Sequence, residues 1–176
     1  MVRTRIHILA VVGILFGVLL GIPSAGAVQG RDAANTLGAR AVQGRQVFQL
    51  ISTDPSDEGS GPLVAFGPIH ANGHDTVLGP RLDRFVFPDG NLVIRHRPLR
   101  TPVERFDPVT CHFKFVEVGR WHVTHGTRAY AEAAGRGEYR VVAEGINRKD
   151  TQGQCTENRP PLTFYVKIQA VGSLSF

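Results

Sequence analysis

The chain has little of what most enzyme signatures are built from. Among 176 residues it carries two cysteines, one tryptophan and one methionine. No serine has the Gly-x-Ser-x-Gly setting of a hydrolase nucleophile, and neither cysteine has the surroundings of an activated thiolate. Gly59-Ser60-Gly61 is too short to cradle a phosphate. Carboxylates are sparse in the strand-like runs, and Glu117, Glu138 and Glu144 read as solvent-facing rather than as a glycosidase pair. Neither cysteine has a Cys or His at ligand spacing, apart from His112 beside Cys111, so no metal is called for. There is also no Lys/Arg block. The positive charges from Arg81 to Arg105 alternate with Asp83, Asp89 and Glu104, which argues against nucleic acid as a partner.

The first residues address compartment. Arg3 and Arg5 precede an uncharged apolar run from Ile6 to Ile22, and Pro23, Ser24, Ala25, Gly26 and Ala27 follow it. Basic, apolar and small is the signal-peptide order, with cleavage expected after Ala27. The competing reading is a retained anchor, for which the run falls short of the roughly 20 residues a spanning helix needs. Cleavage leaves 18 basic against 15 acidic side chains, a mild excess, and a secreted chain with no membrane segment. Residues 28–44, with Ala-Val-Gln-Gly-Arg at residues 27–31 and again at residues 41–45, read as a flexible leader. Residues 45–176 are long enough for one domain with a real core.

In an oxidising compartment a lone pair of cysteines is most simply a disulfide. A Cys111–Cys155 bond closing about 45 residues stabilises by roughly 4 kcal/mol at most. Two buried free thiols are the alternative.

From Arg45 onward, short runs of Val, Ile, Phe and Tyr are separated by Gly, Pro, Asp and Asn, which is strand punctuation. The clearest strand is C-terminal, where Phe164, Val166, Ile168 and Ala170 alternate with Tyr165, Lys167 and Gln169. Further runs are Gln46–Ser52, Leu63–Asp75, Leu82–Phe87, Asn91–Arg97, Cys111–Val118, Arg120–His125 and Gly137–Ile146. Pro88-Asp89-Gly90 and Gly119 read as hairpin turns. About eight antiparallel strands without a helical stretch argue for an all-β closed barrel or a sandwich.

The stretch from His122 to Gly135, with Gly126-Thr127, Tyr130 and a run of alanines, resembles dirigent proteins and the allene oxide cyclase barrel family. Gly73, Asp75, Gly79, Asp83 to Phe87 and Gly90-Asn91-Leu92 look like the glycine-punctuated hairpins of secreted bacterial members of that group. The resemblance covers roughly residues 47–176. It implies a closed eight-stranded antiparallel, calycin-like barrel, often a homodimer or homotrimer. It also implies an apolar cavity that in relatives holds a small molecule being cyclised or coupled. Ala131 and Ala134 stand where dirigent proteins carry arginines, so phenoxy-radical coupling is not among its implications. Thr127 reads as an N-cap to one helical turn and Tyr130 as a plug.

For chemistry inside such a barrel the candidates are few. His70, Asn72 and His74 share a face if Ile69–Asp75 is a regular strand, but His70 and His74 would then lie about 13 Å apart, too far for one ion. His122 and His125, three apart, point to opposite faces. His96 shares a face with Leu92 and Ile94, opposite Arg95 and Arg97, and is the better candidate for the interior; His74 beside Asp75 is the other possible base. Phe85, Phe87, Phe113 and Phe115 are core first and candidate pocket lining second. The expected function is therefore binding of a small apolar or aromatic molecule, without cofactor. A cyclase or isomerase and a non-catalytic scaffold stand as alternatives.

Overall fold

The structure is a computed structural model describing residues 42–57 and 59–176. The signal-peptide reading and nearly all of the leader fall outside those residues.

The alternation of small apolar runs and turns forms eleven strands. They are β1 Gln43–Ser52, β2 Gly61–Phe66, β3 Ala71–Gly79, β4 Leu82–Phe87, β5 Gly90–Pro98 and β6 Val103–Phe106, then β7 His112–Gly126, β8 Ala134–Ile146, β9 Arg148–Lys149, β10 Cys155–Thr156 and β11 Thr163–Ser175. The order β5-β4-β3-β2-β1-β11-β8-β7 closes on itself, because β5 also pairs with β7. This is a closed, antiparallel, eight-stranded β-barrel, and closure leaves its strands no free edge. β6 continues the place of β5 along the outer half of β7, and β9–β10 form a separate two-stranded ribbon.

β11 behaves as its alternation demands. Val166, Ala170 and Leu174 are buried, Phe164 and Ile168 pack against the core, and Tyr165 and Gln169 are exposed. At the centre stands Phe48 on β1. Its ring meets Phe85 edge-on at 5.1 Å, Trp121 edge-on at 5.6 Å and Phe87 in a stack at 6.3 Å. Edge-to-face pairs of this kind add roughly 0.5–1.5 kcal/mol each beyond burial. One end of the barrel is stoppered by Tyr130, which packs edge-on against Phe87 and Phe176. Gln46 is fully buried, and its amide spans the turn between β2 and β3, accepting from Ile69 N–H and donating to the Ile69 and Phe66 carbonyls.

Several sequence expectations need correction. Leu63–Asp75 is two strands, not one, because the chain turns at Gly67, whose φ of 127° suits glycine and which abuts the Arg45 carbonyl. His70 therefore sits in that turn, and His74 is on the outside. Gly119 is no hairpin: it lies in the middle of the 15-residue β7, joining the two runs that were expected to be separate. His122 and His125 both face outward, since the register skips Thr124 and inverts the phase after it. Thr127 occupies the N-cap position without capping; its hydroxyl accepts from the Asn91 N–H at 3.0 Å. β1 begins at Gln43, before the boundary drawn at residue 45.

Cys111 and Cys155 form the disulfide, with Cα atoms 5.4 Å apart. It ties the 147–162 loop to the start of β7. Among the described residues no helix is long and apolar enough to cross a membrane.

Candidate functional site: a polar cluster in an apolar cavity

Opposite the stoppered end, the barrel is not filled. A cavity of about 310 Å³ opens beside Gly59, Val77 and the β3–β4 turn at Gly79 and Pro80. Its apolar wall comes from Phe85, Ile94, Val141, Ile168 and Ala170. Each side chain arrives by the two-residue period of its strand, so the residues facing inward one pleat further along are also drawn in. Those are Asp75 on β3, Asp83 on β4, His96 on β5, Glu117 and Trp121 on β7, and Tyr139 on β8.

The polar side chains form two linked groups. His96 Nε2 stands 3.3 Å from Asp83 Oδ2. The Tyr139 hydroxyl donates to Glu117 Oε1 at 2.6 Å, and its ring meets His96 edge-on at 5.5 Å. Asp75 is only 5% exposed. Burial, reinforced by the nearby negative charge of Asp83, pushes its carboxyl up to about 8, so Asp75 holds its proton at neutral pH. Asp83 is also raised by burial, an effect that His96 opposes. Burial, with Glu117 at its hydroxyl, raises Tyr139 and keeps it a donor.

Three buried side-chain atoms lack any hydrogen-bond partner among the described residues: Asp75 Oδ1, His96 Nδ1 and Trp121 Nε1. All three belong to residues of this one cavity's wall. A buried polar atom left unpaired costs on the order of 1–3 kcal/mol, so such atoms are rarely retained without a use. With Nε2 turned to the Asp83 carboxylate, Nδ1 is an acceptor in the neutral imidazole and a donor in the imidazolium. The indole is a donor, and a protonated Asp75 can donate as well.

Of the sequence candidates, His96 and Phe85 line the cavity. Phe87 lies two residues further along β4, between Phe48 and Tyr130. Phe113 packs with Phe164, ring centroids 6.5 Å apart, and neither Phe113 nor Phe115 reaches the cavity wall. Glu117 faces the cavity and not solvent, a correction that follows from β7 running unbroken through Gly119. Glu138 is exposed, and Glu144 makes an outward bridge to His112 and Lys114 at 3.0 and 2.8 Å. Asp75, Asp83, Glu117, Trp121 and Tyr139 were not singled out for the site from the sequence. Parity carried the signal for Asp83, two positions before Phe85, as it did for His96 after Ile94.

Among the described residues no group of three or more His, Cys, Asp or Glu is arranged to hold a metal ion. Comparison with family models, with curated proteins and with solved structures gives no match for this chain. The class that fold and site define is therefore a closed barrel with a polar cluster set in an apolar cavity.

Proposed function

We propose that this protein is a secreted barrel that binds a small apolar or aromatic molecule carrying a hydroxyl or carbonyl group. The observation that carries this reading is the coincidence of three unpaired buried polar atoms with the wall of a single apolar cavity. Both atoms are shielded from solvent, so a hydroxyl entering there could donate to His96 Nδ1 and accept from Trp121 Nε1–H once the two rings turn toward it, and Phe85, Ile94 and Ile168 would cover its apolar body. A cavity of about 310 Å³ suits a compact ligand of one or two rings. The disulfide and the N-terminal sequence pattern support secretion. The eight-stranded barrel is compatible with the dirigent and allene oxide cyclase likeness, which remains part of the proposal.

A second reading, an isomerase or cyclase, is favoured by the presence of the buried Asp75 carboxyl and the Asp83–His96 couple on one cavity wall. One acid could hold a substrate carbonyl while the couple moves a proton. Turnover of a bound ketone separates the two readings.

The binding reading is tested by titrating 2-naphthol, followed by its own fluorescence, into the wild type and His96→Ala. The wild type should bind saturably and the variant about tenfold more weakly, the loss of one buried hydrogen bond. Absence of wild-type binding would remove both readings.

A further inference from the structure

Along β4, β5 and β7 the two-residue period sorts charge by sign. Asp83 and Glu117 face the cavity, whereas Arg84, Arg95, Arg97 and Arg120 are exposed on the outer wall. Alternation that looks neutral along the sequence thus becomes a one-signed face on the barrel.

Register then sets the outward residues side by side. Arg97 lies directly opposite Arg120; Arg95 lies opposite His122, which in turn lies opposite Arg136. Like charges directly opposite one another destabilise a sheet, so the Arg97–Arg120 pair is unfavourable except where an acidic group, Glu138 or one from outside the barrel, neutralises it. Within these rows Glu138, opposite Arg120, is the one acidic side chain on the outer face among the described residues. The ion pairs among the described residues use His96, His112 and Lys114, and none uses an arginine. The arginine side-chain hydrogen bonds belong to Arg128 and Arg148, away from this wall. Beside Arg97 and Arg120 lies a surface depression of about 550 Å³, lined by Leu99, Val118 and Val171, by Arg100 and Arg140, and by the acidic Glu138 and Tyr139.

We propose that this outer wall of β5, β7 and β8 binds an anionic polysaccharide, whose carboxylate or sulfate groups are taken by the arginine forks. Guanidinium groups match such planar or multi-oxygen anions with paired hydrogen bonds. Nucleic acid fits less well. Phe85, Trp121 and Tyr139 are all turned inward and buried, so the exposed rings this wall offers a base are the small imidazoles of His122 and His125. The disulfide also belongs to oxidising compartments outside the cytoplasm. This surface lies on the other side of the wall from the cavity, sharing Tyr139 with it, and its arginines do not enter the cavity.

The test uses dextran sulfate as probe with the whole protein, at about 50 mM salt and upward. A DNA duplex and phosphatidylglycerol vesicles run beside it, with the double variants Arg97→Glu/Arg120→Glu and Arg97→Gln/Arg120→Gln. The wild type should bind dextran sulfate, with log affinity falling linearly as log salt rises. The glutamate pair should weaken binding at least about tenfold and flatten the slope, the glutamine pair less, and the glutamine pair should melt no lower than the wild type. No wild-type binding, or undiminished binding by both variants, would overturn the proposal. Tighter binding to the duplex or the vesicles than to dextran sulfate would overturn the polysaccharide assignment in favour of that partner.

Discussion

Tyr139 reaches Glu117 through the space that a side chain at position 119 would occupy. The phenol lies on β8 directly opposite Gly119, and a Cβ added to that glycine would run into both the Tyr139 ring and the Arg97 carbonyl. Glycine in mid-strand weakens a sheet by its flexibility and lack of side chain, so its presence here needs a reason. The reason is access: without that gap the ring could not lie flat against β7 and hand its hydroxyl to a carboxylate one pleat away.

Gly119→Ala should accordingly displace Tyr139 and cost about 1–3 kcal/mol by overpacking. Tyr139→Phe keeps the ring and loses only the hydrogen bond, for about 1 kcal/mol. Urea denaturation of both variants checks this, and the alanine being no more disruptive than the phenylalanine would count against the close fit.

Asp75 supplies a pH signature. Its folded value of about 8 lies above the ordinary 3.8, so between those values the unfolded chain ionises while the folded one keeps its proton. Stability therefore falls as pH rises from about 4 to about 8, then levels, by an amount on the order of a few kcal/mol. Asp75→Asn should remove that fall and be the more stable protein at pH 8. Denaturant midpoints measured across this range decide it; parallel curves for the two proteins would mean that Asp75 is not held neutral.

The C-terminal strand tests the barrel itself. Val166 is 5% exposed and Lys167 lies on the other face, opposite Ile51 and Val142. Val166→Asp should cost several kcal/mol through a buried charge with no partner, and Lys167→Ala less than about 1 kcal/mol. Comparable melting temperatures for the two variants would contradict the inward face of β11.

The barrel was legible because most of its strands are half-buried and write their faces into alternate residues, as β11 does from Phe164 to Leu174. His96 could be placed by the same parity from Leu92 and Ile94. What was not legible depends on partners distant in sequence. Gly119 reads locally as a turn, and only the Tyr139 ring from β8 explains it as part of a continuous strand. A turn at Gly119 also cuts the parity that ties Glu117 to Trp121, which leaves Glu117 reading as solvent-facing. The bulge at Thr124 hid the common face of His122 and His125 in the same way, since one extra residue inverts every parity argument beyond it. The arginine wall was missed because acidic neighbours in sequence are strand-face opposites in space.

The central claim is that the cavity's unpaired polar atoms await a ligand, and Trp121 reports on it directly. It is the chain's single tryptophan, so its indole N–H gives one resonance in a nitrogen–proton correlation spectrum. Among the described residues that group is buried without an acceptor. On titration with 2-naphthol the indole proton should move downfield along a saturable curve, as its N–H gains an oxygen partner, with an apparent affinity equal to that from fluorescence. An indole resonance that stays fixed while the naphthol saturates, or a protein that takes up no naphthol at all, would contradict the claim.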